Sequence, residues 1–198
     1  MAWDVEGTQR RLREAALVEF AANGFDGTTV AAIAARSGVN KERLYSYFGD
    51  KQALWDLVLT SELERLATAV ELTGAGLDDV GEFAGATYDY HAAHPELGRL
   101  LQWEGLRAGP PAHFEVRTAH YREKVARFRD AQRDGLLDPG LKPAHLVFAL
   151  IALAAWWQTV PQLAEMITGA GPDDARERAA RRRFVVEAAK RMAAPVQR

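Results

Sequence analysis

The 198-residue sequence contains no cysteine, which excludes a disulfide framework and catalysis by a thiolate. It also lacks an apolar run long enough to cross a bilayer. The longest run, residues 146–157, has 12 residues, whereas a spanning helix needs ~20. We expect a buried helix there and no membrane partner. The first residues, Met-Ala-Trp-Asp-Val-Glu, lack the basic start and apolar core of a signal peptide, so we expect a cytoplasmic protein.

Catalytic signatures are missing as well. Residues 51–198 contain no phosphate-binding glycine loop, nucleophile elbow or metalloprotease motif. His91 and His94 have a spacing that two ligands of one metal ion can adopt, but they lie just before Pro95 and have no evident third ligand. The simpler interpretation is a pair of histidines at a helix end. We therefore expect no enzyme activity, no cofactor and no metal.

Helical periodicity dominates the chain, and we find no strand signal, repeat or low-complexity segment. With 48% hydrophobic residues, the chain can bury an ample core. The predicted class is all-α. The predicted helices cover residues 8–23, two short helices within 28–48, then 50–72, 78–94, 96–108, 113–133, 143–168 with a kink or break at Pro161, and 172–193.

Residues 28–51 carry the most informative pattern, two short helices joined by a tight corner. Thr28 or Thr29 can cap the first helix, and Asn40 can cap the second, because their side-chain oxygens accept from free backbone amides. Gly38 suits a left-handed corner, and Val39 is the apolar residue expected inside it. This layout is typical of a helix-turn-helix, which places its second helix in the major groove of DNA.

The second short helix concentrates side chains suited to phosphates and base edges. Leu44 and Phe48 point to the core in a helical projection. Cations and hydroxyls lie around them, at Lys41, Arg43, Tyr45, Ser46 and Tyr47. A plain helical hairpin with a solvated charged face remains the alternative from pattern alone.

The overall charge gives a nucleic-acid interpretation little support. The formal net charge is −2, and residues 1–51 contain seven Lys/Arg and seven Asp/Glu. The positive charges nevertheless collect at Lys41, Arg43 and Lys51. Such a local patch can dock on phosphates, and its affinity would then fall steeply with salt.

Residues 8–59 resemble the DNA-binding domain of the tetracycline-repressor (TetR) family. The resemblance extends over many positions in the same order and spacing: Phe20, Gly24, Phe25, Thr28, Thr29, Ile33, Ala34, Gly38, Val39, Leu44, Tyr45, Tyr47, Phe48, Lys51 and Leu54. It implies an N-terminal three-helix helix-turn-helix domain (residues 1–50) and a C-terminal helical ligand-binding and dimerisation domain (residues 51–198).

The resemblance also implies roles for individual residues. Lys41, Arg43, Tyr45 and Ser46 would face the groove beside the capping Asn40, whereas Tyr47, Lys51 and Thr28 or Thr29 would contact phosphates. Glu42 departs from this picture because it places an acid among the contacts. It can pair with a neighbouring cation, accept from a cytosine amino group, or simply face solvent.

Aromatic residues spread over the second domain suggest a ligand cavity between helices. The candidate lining is Tyr88, Trp103, Glu104, Phe114, Phe148 and Trp156. Ordinary core packing explains most aromatic residues at helical spacing and remains the alternative. Carboxylates beside these rings, at Asp89 and Glu104, would favour a lipophilic cation as effector.

Two apolar stripes suggest a dimer. One contains Leu146, Leu150, Leu153 and Trp157, and the other contains Ala180, Phe184, Ala188 and Met192. Both stripes can instead belong to the core of one subunit. The sequence thus predicts a homodimeric, ligand-responsive repressor of double-stranded operator DNA. An activator or ligand-independent regulator, an enzyme with a vestigial helix-turn-helix, and a structural adaptor are the alternatives.

Overall fold

The structure, a computed structural model, describes residues 4–196, which form ten α-helices and no β-strand. The all-α prediction is confirmed. The helices are α1 (Val5–Gly27), α2 (Val30–Ser37), α3 (Lys41–Phe48), α4 (Lys51–Ala69), α5 (Leu77–Ala93), α6 (Pro95–Leu106), α7 (Phe114–Arg133), α8 (Pro143–Thr159), α9 (Pro161–Thr168) and α10 (Ala175–Ala193).

The helices belong to two compact units that do not follow the chain in simple order. The first unit joins the described residues up to Arg65 with Glu96–His113, and the second joins Leu66–Pro95 with the described residues from Phe114 onward. The first unit therefore contains α1 to α3, most of α4 and most of α6. The domain boundary at residue 50 stays a prediction.

The core of the first unit is formed by the apolar faces that the periodicity predicts. Leu12, Ala16 and Phe20 lie along one stripe of α1 and are fully buried. Ile33 of α2 and Leu44 of α3 are also fully buried. Burial of such side chains contributes about 1.5–3 kcal/mol each to folding. The faces opposite this core are left to solvent.

The second unit is built around α5, which packs against α10 and α8, while α7 packs against α8. Leu146 and Leu150 of α8 are buried in this core at 2% and 0% exposure. Their prediction as a dimer stripe is wrong, because both side chains are already buried within their own subunit. The alternative, that they belong to the subunit's own core, is confirmed for these two residues.

The predicted break at Pro161 is confirmed. α8 ends at Thr159, α9 begins at Pro161, and the two axes differ by 85°. Proline causes this break because it lacks an N–H and its ring crowds the preceding turn. No single helix in residues 4–196 is long and apolar enough to cross a membrane. Within these residues, only the bent pair α8–α9 reaches that length and apolar composition when its two helices are taken together.

Candidate DNA-binding surface and effector unit

Local capping signals shape the helix-turn-helix as predicted. The Thr29 hydroxyl accepts a hydrogen bond from the Ala32 amide at 3.1 Å and caps α2. Gly38 adopts a left-handed conformation, with φ of 65°, at the corner. Asn40 Oδ1 accepts from the Arg43 amide at 3.1 Å and caps α3. The Gly38 corner and the Asn40 cap fix where α3 begins and which side chains it presents, and the Thr29 cap fixes the start of α2.

One face of α3 is open to solvent. Lys41, Tyr45 and Ser46 are exposed, and the opposite Leu44 is fully buried. Glu42 shares the exposed face, whereas Arg43, Tyr47 and Phe48 are half-buried. A helix that presents an ammonium group and hydroxyls in its first two turns is suited to phosphate oxygens and base edges. The groove-facing roles of these residues stay predictions.

The two threonines before α2 have different environments. Thr28 is 1% exposed, and its hydroxyl donates to the carbonyls of Gly24 at 2.7 Å and Glu19 at 3.0 Å. Thr29 is exposed at the N-terminus of α2. A phosphate can reach Thr29 but not the buried Thr28 hydroxyl. The structure therefore corrects the contact predicted for Thr28 and leaves Thr29 as the candidate.

Lys51 has a structural role that the sequence did not suggest. Its Nζ donates to the carbonyls of Phe25 and Thr28, both at 2.9 Å, and lies 4.2 Å from the centroid of the Phe25 ring. These carbonyls lie at the C-terminal end of α1, where a cation is favourable. Two of the three N–H donors of this ammonium are thus engaged within the protein, and its contact with phosphate stays a prediction.

The end of α6 packs against α1 and α4 within the first unit. Trp103 Nε1 donates to the Ala21 carbonyl at 3.3 Å. The Arg107 guanidinium lies 3.9 Å from the centroid of the Phe25 ring and donates to Gln52 at 3.0 Å. Sequence analysis missed Arg107, because these contacts join residues more than fifty positions apart and no local pattern announces them.

The structure does not bring the six predicted ligand residues together. Trp103 and Glu104 belong to the first unit, where Trp103 contacts α1 and Glu104 Oε1 accepts from the Ala112 amide at 3.0 Å. Phe114, Phe148 and Trp156 belong to the second unit but are 58%, 75% and 56% exposed. Side chains that face solvent cannot line an interior cavity of their own subunit, so the predictions for Phe114, Phe148 and Trp156 are corrected. The ligand roles of Trp103 and Glu104 stay predictions.

Tyr88 is the sixth, and it lies beside an open groove. The groove has a volume of about 300 Å³ and includes Asp89, Arg178 and Arg182. Burial raises the pKa of the Tyr88 hydroxyl, which donates weakly to the Arg178 carbonyl at 3.4 Å. Asp89 accepts from Arg182 Nε at 2.6 Å. Because Asp89 and Glu104 are both engaged, the argument for a cationic effector loses its support.

An apolar surface covers the outer sides of α8, α9 and α10. Phe148 and Trp156 lie two turns apart on α8, and Phe184 of α10 is 55% exposed. On α9, Met166 and Ile167 are 75% and 74% exposed. Large apolar side chains left exposed on neighbouring helices mark interaction surfaces. We call these five residues the outer face.

Within residues 4–196, no group of three or more His, Cys, Asp or Glu side chains could hold a metal ion. His91 is 4% exposed, and burial lowers the pKa of its imidazole. His94 packs its ring 4.3 Å from that of Tyr90.

An exposed, capped α3 and a separate helical unit define the class, a helix-turn-helix DNA-binding regulator. Family profiles agree. "Bacterial regulatory proteins, tetR family" matches residues 12–58, and "Tetracyclin repressor-like, C-terminal domain" matches residues 79–191. The chain belongs to the TetR family of bacterial transcriptional regulators.

Individual relatives support the same assignment. The chain is 40% identical over 172 residues to the HTH-type transcriptional repressor SCO4008 of Streptomyces coelicolor, covering 86% of this chain and 88% of that one. It is 29% identical over 173 residues to the HTH-type transcriptional regulator RutR of Escherichia coli K12, covering 84% and 81%.

Solved structures show the same fold. The crystal structure of SCO4942 from Streptomyces coelicolor superposes with a TM-score of 0.81 and 34% identity, covering 94% of this chain and 98% of that one. FadR of Bacillus subtilis, solved in complex with stearoyl-CoA, superposes with a TM-score of 0.69, covering 93% and 98%. At 16% identity, this second likeness shows the fold alone.

Proposed function

We propose that this protein is a homodimeric cytoplasmic repressor that binds a near-palindromic operator and releases it when a small molecule binds the second unit. It acts by binding and has no enzyme activity. The observation that carries the proposal is the exposed face of α3, where Lys41, Tyr45 and Ser46 project from a helix whose start is capped by Asn40.

Dimerisation supplies the reach that one short helix lacks. Two α3 helices related by a two-fold axis would enter successive major grooves about 34 Å apart, which requires a near-palindromic operator. We assign the dimer contact to the outer face, since its aromatic side chains are each more than half exposed within the described subunit. Phe148 and Trp156, which the sequence suggested as ligand residues, take this role in the proposal.

We assign the DNA contacts in the proposal by the solvent exposure of each side chain. Lys41, Tyr45 and Ser46 reach the groove, Arg43 joins them from its half-buried position, and Thr29 contacts phosphate at the start of α2. Tyr47 is half-buried at the end of α3 and keeps its predicted phosphate contact. Glu42 lies on the same face, where it discourages some bases as well as attracting a cytosine amino group.

Release of DNA requires that the effector bind the DNA-free conformation more tightly than the DNA-bound one. The coupling is reciprocal and typically amounts to ~1–3 kcal/mol. α4 is one continuous helix that begins in the first unit and ends in the second. It is one of the covalent connections through which a displacement in the second unit reaches α1 to α3.

A gel shift with the DNA that flanks the gene tests the proposal. We expect a specific shift at low salt that is half-maximal at nanomolar protein. The logarithm of the binding constant should fall linearly with the logarithm of the salt concentration. A matched fragment with one half-site scrambled should bind much more weakly. Absence of any specific shift at low salt would overturn the proposal, and a reporter gene that is activated rather than repressed would assign the activator alternative.

A further inference from the structure

The second unit contains a cleft that is separate from the groove beside Tyr88. It has a volume of about 190 Å³ and lies between α7 and the chain at the end of α4. Val70 and Leu72 form an apolar wall and are 3% and 5% exposed. The other wall carries His120, Lys124 and Arg127, which follow one another along α7 at helical spacing.

Lys124 is the central side chain of this cleft. It is half-buried, and its ammonium lies 4.8 Å from the centroid of the Phe83 ring. Within residues 4–196, the structure gives this ammonium no hydrogen-bond acceptor and no ion-pair partner. Its three N–H donors are therefore available to a ligand. Arg127 in turn donates from Nη1 to the Leu72 carbonyl at 2.6 Å, which joins the two walls.

The electrostatics of the cleft favour an added anion. Burial lowers the pKa of Lys124, and the neighbouring charge of Arg127 lowers it further. Burial also lowers the pKa of His120, followed by the charge of Lys124. Groups that disfavour each other's charge are stabilised together by one negative charge. Glu71 and Glu123 also line the cleft, and the charge of Glu123 partly offsets the lowered pKa of His120. Both carboxylates are exposed to water, which weakens their effect on an anion in the cleft.

We propose that this cleft binds the anionic group of the effector, a carboxylate or phosphate monoester that accepts hydrogen bonds from Lys124 while its apolar part rests on Val70 and Leu72. The proposal names the effector class and so rests on the function proposed above. A volume of about 190 Å³ is below the ~300–1,000 Å³ of sites for drug-sized ligands, so the cleft holds a small organic anion or the head of a larger one.

Calorimetric titration of the DNA-free protein tests this site directly. The anionic probes are benzoate, decanoate and phenyl phosphate. The uncharged counterparts are benzamide for benzoate, decanamide for decanoate and phenol for phenyl phosphate, and the cationic probe is benzylammonium. Each probe is titrated into three proteins: the wild type, Lys124→Met and Lys142→Met. The Lys124→Met substitution keeps most of the aliphatic stem. Lys142 is an exposed lysine just before α8 and serves as the matched control.

We expect saturable binding of at least one anion, with its uncharged counterpart bound about tenfold more weakly or worse. Lys124→Met should lose about tenfold in affinity, and Lys142→Met should bind as the wild type does. Equal affinity for an anion and its amide, tighter binding of benzylammonium, unchanged binding by a folded Lys124→Met, or no anion binding at all would each overturn the proposal. The wild-type probe comparison remains decisive if Lys124→Met does not fold.

A gel shift with the same probes separates this inference from the proposed function. Anion binding together with loss of the DNA complex supports both. Anion binding to a protein that never shifts its flanking DNA keeps the site and overturns the repressor. Anion binding that leaves the DNA complex intact overturns the effector role of the cleft.

Discussion

The indole ring of Trp103 lies directly against the backbone of Gly24. A Cβ atom on Gly24 would lie 2.7 Å from the ring, and Gly24 itself has φ of 69° and ψ of −177°. Only glycine adopts this conformation without strain. The bend near the end of α1 and the docking of α6 therefore depend on the same missing side chain.

Gly24→Ala should destabilise the protein by roughly 2–4 kcal/mol, since it adds both backbone strain and a clash with Trp103. Gly38→Ala is the control for the backbone alone. Gly38 also has positive φ, but nothing lies within 4 Å of the position that a Cβ atom would occupy there, so we expect a loss of about 1 kcal/mol. Urea denaturation measures both, and equal losses would refute the steric role of Trp103.

Lys51→Met should lower stability by about 1–2 kcal/mol, because the carbonyls of Phe25 and Thr28 lose a charged donor. Lys41→Met should leave stability unchanged. It should reduce by about one the slope of the logarithm of the operator-binding constant against the logarithm of the salt concentration. Denaturation and salt-dependent gel shifts on the same two variants give the comparison. A reduced slope for Lys51→Met at unchanged stability would support its predicted phosphate contact instead of the internal role.

Arg43→Ala should change which bases are preferred in the operator, at a cost of about 1–3 kcal/mol for the best site. Tyr47→Ala should weaken binding to all sequences alike, because a phosphate contact carries no base information. Selection from a randomised half-site library distinguishes the two effects. If Arg43→Ala keeps the wild-type preference, its placement in the groove is wrong.

Phe148→Glu should shift the protein from dimer to monomer, since a charge on the outer face would be desolvated without a partner. Phe114→Glu is the matched control, an exposed phenylalanine that lies on α7 instead. Light scattering after size-exclusion chromatography reports the mass, and operator affinity should fall together with dimerisation. A dimeric Phe148→Glu variant would place the interface elsewhere.

His91 should make folding stability fall as the pH decreases. Burial lowers its pKa below the usual value of 6.5, so the unfolded chain binds the proton more readily than the folded protein. Stability from this group is complete above about pH 6.5 and declines below it, with a slope of up to about 1.4 kcal/mol per pH unit. His91→Gln should flatten the decline between about pH 7 and 5.5, whereas the exposed His145→Gln should not. Urea denaturation across this pH range measures the slopes.

Local chemistry explains what was predictable from the sequence. Caps at Thr29 and Asn40, the left-handed Gly38 and the break at Pro161 each depend on a few neighbouring residues, and all four form as predicted. Helical periodicity likewise identified Leu12, Ala16 and Phe20 as one buried stripe.

The features that the sequence did not predict depend on which distant residues pack together. Periodicity shows that a helix has an apolar face but not what covers it, so Leu150 was expected in a dimer and Phe148 in a cavity, whereas the structure buries Leu150 and exposes Phe148. The engagement of Lys51 and the docking of Trp103 join distant parts of the chain. The cationic cleft around Lys124 was missed for the same reason, since its walls come from α7 and the end of α4.

The interleaved order of the two units has a consequence for synthesis and engineering. The DNA-reading half is completed only when residues 96–113 have left the ribosome, because Trp103 and Arg107 finish its packing. A fragment that ends at Arg65 would expose to water the surface of α1 that Trp103 and Arg107 cover. A chimera that joins this DNA-binding unit to another ligand-binding domain should therefore include both the residues up to Arg65 and residues 96–113. A single junction between the two proteins will not suffice.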